Sequence, residues 1–97
     1  TAGKGRGVGS GGLYNNKRFP KNPTEIADKP VGEWNSMTVT IVGDRVNVTL
    51  NGKRVVNGVT MENYPRYRDK LPTVGPILLQ AYNSPIEFRR VTILELP

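Results

Sequence analysis

Residues 33–56 read EWNSMTVTIVGDRVNVTLNGKRVV, and this stretch predicts three short antiparallel strands near 36–42, 45–50 and 53–57. Apolar and polar side chains alternate strictly along the first two strands, so each should have one buried face and one wet face. The rest of the chain is expected to pack against the apolar face of this meander. The predicted fold class is therefore all-β and antiparallel.

Both connections within the meander are predicted to be tight turns. Gly43-Asp44 suits a two-residue hairpin with glycine at the first turn position, and Asn51-Gly52 is the stronger hairpin signal. A type I′ turn needs positive φ at both central positions, which asparagine and glycine tolerate better than other residues. These two turns should fix the order of the three strands.

Length and composition indicate one small domain. The chain has 97 residues, 36% of them hydrophobic, and it has no cysteine, so disulfides cannot compensate for a small core. No apolar run approaches the ~18 residues that a membrane-spanning helix needs, so no membrane span is predicted.

The positive charge is concentrated near the N-terminus. The net charge is +6, and residues 1–30 hold six basic and two acidic groups. Residues 1–12 are half glycine and are predicted to form a solvated basic leader before a β-sandwich portion at 13–97. The alternative is a polyanion-binding arm. Nucleic acid is disfavoured as the partner, because the segment has one aromatic pair and no helical period.

A glycine pattern in the leader formally matches a dinucleotide-binding fingerprint, with glycines at positions 7, 9 and 12. That motif requires a strand before it and a helix after it. Glycine-rich chain precedes it here and Leu13-Tyr14-Asn15 follows it, so this function is not predicted.

Two long irregular connections flank the meander, at 15–31 and 57–74. Loops of this length in a small domain usually carry function or lie across a sheet. The second one concentrates polar and aromatic side chains at 62–69, where a binding surface is expected. The alternative is a hydrated excursion whose tyrosines lie on the sheet.

Two further strands are predicted at 76–82 and 86–96. The run Ile77-Leu78-Leu79 is typical of a central strand that is buried on both faces. Apolar parity switches across Arg89-Arg90, which predicts a β-bulge. About six strands with long loops make an incomplete sandwich with exposed edges, so the chain is interpreted as the C-terminal half of a larger domain.

Short motifs follow one another in order along the chain: Pro30-Val31-Gly32-Glu33-Trp34-Asn35, Gly43-Asp44-Arg45, Leu50-Asn51-Gly52-Lys53, Gly75-Pro76-Ile77-x-Leu79-Gln80, Pro85-Ile86-Glu87-Phe88-Arg89 and Leu94-Glu95-Leu96. Together they resemble the 3-keto-disaccharide hydrolase domain family, whose members are concanavalin A-like lectin/glucanase sandwiches of the jelly-roll type. The similarity runs from about Gly9 to Leu96. Domains of that family are longer, which implies that this chain supplies their C-terminal part.

The resemblance implies a reaction on 3-keto-glycosides or 3-keto-disaccharides. A carbonyl at C3 acidifies the C2 proton, a base removes it, the glycosidic oxygen leaves C1 by β-elimination, and water then adds. Members of the family commonly carry histidine two residues after Leu79-Gln80, whereas this chain has Tyr82 there and no histidine. The resemblance is compatible with a divalent metal in the complete domain, and it implies a periplasmic or secreted protein.

Candidate site residues come from the polar loop and the C-terminal strands. The predicted catalytic residues are Glu62, Tyr82 and Glu87. The predicted substrate-binding residues are Trp34, Asn63, Tyr64, Arg66, Gln80 and Arg89. Structural alternatives are a rim aromatic for Trp34, a solvated loop acid for Glu62, and an exposed Glu87–Arg89 ion pair. No His/Cys cluster exists, so no metal site is predicted.

Two functions of different classes remain open. The first is part of a sugar-active, hydrolase-like enzyme domain. The alternative is a non-catalytic β-sandwich module that binds carbohydrate or protein. The expected partners are a saccharide ligand and a complementary N-terminal segment, or a second copy, that completes the sandwich.

Overall fold

The fold is one antiparallel sheet covered on one face by the preceding chain. The computed structural model describes residues 8–80 and 85–96. Its three strands are β1 (Met37–Val42), β2 (Arg45–Leu50) and β3 (Lys53–Thr60), in the order β1-β2-β3. The described residues form no helix. The all-β antiparallel prediction is confirmed, and a single three-stranded sheet is what a partial β-sandwich provides.

The predicted turns have the expected backbone. Gly43 has φ 62°, and Asn51 and Gly52 have φ 52° and 84°. Asn51 does more than tolerate this conformation. Its Oδ1 accepts the Ser36 N–H at 2.8 Å, and its Nδ2 donates to the Ala27 carbonyl at 2.8 Å. The second turn is therefore fastened to two other segments of the chain.

β3 is two residues longer than its partner because it contains two irregularities. The register moves from Val46↔Val59 to Val48↔Val56 and then to Thr49↔Arg54, which adds one residue to β3 at each step. An extra residue in one strand turns neighbouring side chains towards the same face. This explains why two consecutive residues, Val55 and Val56, are both buried, at 0% and 3% exposure.

The core is small and lies on one face of β2 and β3. Its buried residues are Val46, Val48, Leu50, Val55 and Val56, and the half-buried side chains packed against them are Leu13, Ala27, Val59 and Met61. The apolar residues of β1 share this face but stay half exposed, at 49%, 51% and 50% for Met37, Val39 and Ile41. The prediction of a buried face therefore holds for β2 and not for β1, because the covering chain does not extend over β1.

The described part of the glycine-rich segment lies on the sheet. A Cβ built on Gly11 would be 3.0 Å from Val55 Cγ2 and 3.3 Å from Val48 Cγ1, and the φ of Gly11 is 98°. Only glycine fits such a close approach without a shift of its neighbours. Residues 8–12, which were predicted to belong to a solvated leader, thus contribute to covering the core.

The connection at 15–31 runs along the outer edge of β3. At one end, Asn16 Nδ2 donates to the Thr60 carbonyl at 2.9 Å, and further on the Thr24 N–H donates to the Val55 carbonyl at 2.8 Å. These contacts satisfy carbonyls that an edge strand otherwise exposes. Within the described ranges, β1 pairs only with β2, so its other edge is open.

Of the two C-terminal strands predicted at 76–82 and 86–96, the described residues 76–80 and 86–96 are not in strands, and residues 81–82 lie outside the described ranges. Ile77, Leu78 and Leu79 are 68%, 82% and 55% exposed rather than buried on both faces. A strand needs a neighbour that completes its hydrogen bonds, and these segments have none in the part of the chain described. Arg90 has φ 54° at the predicted parity switch. No helix of the described residues is long and apolar enough to cross a membrane.

Candidate functional site

Two loops meet beside the Gly43-Asp44 turn, at the end of the sheet where β3 finishes. We call residues 15–21 and 61–70 the paired loops. The Met61 N–H donates to the Asp44 carbonyl at 2.7 Å, which fixes the start of the second loop to the turn. The loop that follows is thus anchored to the sheet at its start. It contains six predicted or neighbouring polar residues: Glu62, Asn63, Tyr64, Arg66, Arg68 and Asp69.

Glu62 joins the paired loops. Its Oε1 accepts the backbone N–H groups of Lys17, Arg18 and Phe19 at 2.8, 2.8 and 2.9 Å. The hydrogen bond from Phe19 is the largest cause that lowers the pKa of the Glu62 carboxyl, and partial desolvation opposes it. A general base works best with a pKa near the operating pH, so this arrangement favours a positioning role over proton abstraction.

Asn16 is the buried polar residue beneath this contact, with 6% exposure. Its Nδ2 donates to the Pro20 and Thr60 carbonyls at 3.1 and 2.9 Å, and its Oδ1 accepts the Glu62 N–H at 2.9 Å. Both N–H donors and the oxygen of the amide thus have partners, as burial requires. The sequence analysis missed Asn16, because a polar residue in an irregular loop has no period that marks it as buried.

Two tyrosines form an aromatic pair on the surface of the paired loops. The rings of Tyr64 and Tyr67 lie edge to face, with centroids 5.9 Å apart. The Tyr67 hydroxyl donates to the Asn15 carbonyl at 2.7 Å, and Lys17 Nζ lies 4.5 Å from the Tyr67 ring centroid. Desolvation is the main cause that raises the pKa of the Tyr67 phenol. Tyr64 is 59% exposed, so most of its side chain faces solvent.

The remaining predicted residues of this loop are held near its surface. Asn63 Nδ2 donates to the Lys70 carbonyl at 2.9 Å, which closes the loop. Arg66 Nη1 lies 3.7 Å from Asp69 Oδ2, and both side chains are mostly exposed. An exposed pair at this distance contributes little stability, so Arg66 can exchange Asp69 for another anion.

A second cluster lies at the opposite end of the sheet. Trp34 precedes the start of β1, whereas Glu62 follows the end of β3, and a strand of six residues spans about 17 Å. The Arg89 guanidinium lies 3.9 Å from the Trp34 ring centroid. The structure therefore divides the predicted site residues between two ends instead of bringing them together.

The other predicted residues of the C-terminal segment have no side-chain hydrogen bond or ion pair with either cluster, or they lie outside the described ranges. Gln80 and Glu87 are exposed, and Tyr82 falls in residues 81–84, which are not described. The ion pairs among the described residues are Lys53–Glu25 and Arg66–Asp69, so the alternative of a Glu87–Arg89 pair is not formed there. Arg89 stacks on Trp34 instead.

No ready-made metal ligand set is found in residues 8–80 and 85–96. Three or more His, Cys, Asp or Glu side chains do not come together there. Glu62 is the carboxylate with the most hydrogen bonds, and one of its oxygens already accepts three backbone N–H groups. The donor set of the described residues thus does not fit a metal ion.

The comparison with protein families decides the affiliation of the chain. A family model described as the 3-keto-alpha-glucoside-1,2-lyase-like domain matches residues 2–94, nearly the whole chain. The chain belongs to this family. Comparisons with curated proteins and with solved structures give no significant match. The resemblance seen in the motifs is therefore confirmed.

Proposed function

We propose that this chain contributes to a domain that cleaves 3-keto-glycosides by C2 proton abstraction, β-elimination and hydration. The observation that carries the proposal is the family match over residues 2–94. The family description names a 3-keto-alpha-glucoside and a 1,2-lyase, which corresponds to elimination across C1 and C2 of the sugar.

The reaction needs a base, a group that stabilises an enolate, and an acid. The base removes the C2 proton, and the electron pair forms an enolate with the C3 carbonyl. The C1–O bond then breaks, and the leaving oxygen takes a proton from the acid. Water adds its oxygen to C1 and a proton to C2, which yields the free 3-keto sugar.

Glu87 is the proposed base, and Tyr82 is a further proposed catalytic residue. Glu62, the third catalytic residue predicted from the sequence, accepts three backbone N–H groups, so a positioning role is proposed for it instead. Glu87 is exposed and lies two residues from Arg89, which contacts Trp34. Trp34 and Arg89 are the proposed sugar-binding residues at their end of the sheet. Gln80 is proposed as a further one, and Asn63, Tyr64 and Arg66 are those of the paired loops.

A non-catalytic binding module is the second candidate. Two observations favour it. The chain has no histidine, and the carboxylate of the polar loop is engaged in structure rather than free. A saccharide could still stack on Tyr64 or Trp34, since aromatic faces provide sugar contact without chemistry.

A sugar-release assay separates the two candidates. A 3-keto-disaccharide is incubated with the protein in chelator and then with added divalent metal, and the released monosaccharide is measured. We expect turnover that Glu87→Gln lowers by at least about a hundredfold, the low end for a general base. Glu95→Gln is the matched control and should keep wild-type activity. Binding detected by Trp34 fluorescence without any sugar release would favour the binding module.

Completion of the sandwich by a complementary segment or a second copy is part of the proposal. The open edge of β1 and its three half-exposed apolar side chains support it. Both would be covered by one added strand and the layer that packs on it.

A further inference from the structure

The paired loops carry most of the net charge of the protein. They hold six basic residues and two acidic ones, a net of +4 in a chain whose total is +6. All six basic side chains belong to exposed residues: Lys17, Arg18, Lys21, Arg66, Arg68 and Lys70. Hydrogen bonds between the loops hold the two halves of this charge at one end of the sheet.

The two acids of the paired loops do not offset this charge freely. Glu62 directs one oxygen to three backbone N–H groups. Asp69 is paired with Arg66 at 3.7 Å. Within the described ranges, the other five basic side chains have no carboxylate within ion-pair distance, so their charges face solvent together.

Aromatic rings lie among these charges. Tyr64 and Tyr67 form an edge-to-face pair, and Lys17 lies over the Tyr67 ring. The surface is shallow, with two open depressions of about 490 and 510 Å³ lined by residues 65–69 and 16–21. An open surface of this kind suits one face of an oligosaccharide better than an enclosed small ligand.

We infer that the paired loops bind an anionic saccharide, one that carries carboxylate or sulfate groups. The inference deepens the proposed function by naming a substrate class, and it rests on that function for the choice of a sugar. The tyrosines contact sugar rings, and the lysines and arginines pair with the acidic substituents. Arginine and lysine groups recognise both carboxylate and sulfate oxygens.

Titrations with matched hexasaccharides test the inference. The probes are a sulfated hexasaccharide, a uronic-acid hexasaccharide, a neutral glucose hexasaccharide and a single-stranded DNA of equal charge, each at low and high salt. We expect at least one of the two anionic sugars to bind at least tenfold more tightly than the neutral one, with an affinity that falls as salt rises. The two anionic probes distinguish sulfate from carboxylate recognition.

A charge-matched pair of variants locates the site. Arg18→Gln with Arg68→Gln should weaken anionic binding about three- to tenfold, because exposed charge pairs contribute modestly. Lys29→Gln with Arg90→Gln removes the same charge away from the paired loops and should leave binding unchanged. Circular dichroism of both variants verifies that the fold is kept.

Three results would overturn the inference: equal affinity for the neutral sugar, equal loss in the two double variants, or DNA binding as tight as that of either anionic sugar. The last result would indicate general polyanion attraction. Turnover of a neutral 3-keto-disaccharide without anionic preference rejects this inference and keeps the proposed function. Anionic sugar binding without turnover of any 3-keto sugar rejects the proposed function and keeps the inference that the paired loops bind anionic saccharide.

Discussion

Glu62 Oε1 lies 2.9 Å from the backbone nitrogen of Phe19, which precedes it by 43 residues. The same oxygen accepts the N–H groups of Lys17 and Arg18, so one carboxylate orders three consecutive peptide groups. Successive backbone N–H groups that converge in this way commonly bind an anionic ligand, and here the Glu62 side chain is the anion.

The stability of the protein should decrease in acid because of this contact. The folded-state pKa of Glu62 is lowered, mainly by the Phe19 hydrogen bond. Desolvation acts to raise the pKa of Asp28, but the hydrogen bonds from Ser10 and the backbone N–H of Asp28, together with a nearby positive charge, lower it overall. A lowered folded pKa gives stability above the unfolded value of about 4, and this stability is lost as the pH falls through the folded value.

Urea unfolding between pH 6 and pH 2.5 measures this effect. The midpoint should be flat down to about pH 4.5 and then fall. Glu62→Gln should be less stable at pH 6 and show a shallower acid decline, with faster amide exchange at residues 17–19. Glu33→Gln, an exposed acid before β1, should follow the wild-type curve. An unchanged acid decline in Glu62→Gln would show that the contact does not contribute.

Replacing Asn16 should be costly although it lies in a loop. Asn16→Ala leaves the Thr60 carbonyl and the Glu62 N–H without their partner, and each buried orphan costs about 1–3 kcal/mol. We expect a loss of about 2–4 kcal/mol in the free energy of unfolding, measured by chemical denaturation. The neighbouring Asn15→Ala, at an exposed position, should cost less than about 0.5 kcal/mol. Equal effects of both substitutions would contradict the role given to the buried amide.

The approach of Gly11 to Val55 can be measured with a double-mutant cycle. Gly11→Ala should destabilise the protein by about 2–3 kcal/mol, from positive-φ strain and overpacking against Val55 Cγ2. In a Val55→Ala background the clash is relieved, so the same change should cost about 1–2 kcal/mol, the strain alone. Gly43→Ala is the control, since its φ is also positive and no atom lies near its Cβ. Additive effects of Gly11→Ala and Val55→Ala would show that the segment does not touch the core.

The open edge of β1 predicts self-association of the chain when it is expressed alone. β1 has the sequence MTVTIV, with no charge and no proline to block strand pairing. Sedimentation should show species larger than the 10.7 kDa monomer that increase with concentration. Val39→Lys should reduce them, whereas Val31→Lys, at an exposed site outside the strand, should not. A dilute monomer with sharp reversible unfolding and dispersed amide signals would contradict this prediction.

The features that could be predicted from the sequence are local. The turns follow from the φ preferences of Gly43, Asn51 and Gly52, and the positions of β1 and β2 follow from a period of two. The irregularities of β3 were not predicted, although the consecutive valines at 55 and 56 break the alternation. Gly58, which follows them, has φ 63° in the structure.

The features that could not be predicted depend on distant partners. The hydrogen bonds that the N–H groups of residues 17–19 donate to Glu62 join two loops without sequence periodicity, so no pattern connects these loops. The apolar alternation at 86–96 is compatible with a strand, but a strand forms only where a neighbouring strand pairs with it, and the pattern does not reveal whether one is present. The same reason explains β1, whose apolar residues satisfy the pattern and yet remain half exposed.

The segment that covers the core precedes the sheet in chain order. Asn16 and Gly11 are synthesised before the meander, while Thr60 and Val55, which they contact, are synthesised 44 residues later. In an isolated hairpin of β1 and β2, the apolar face of both strands would therefore be exposed to water. The entropy cost of closing the long loops arises before apolar burial lowers the free energy. We therefore expect this protein to fold in one slow cooperative step after β3 has left the ribosomal exit tunnel.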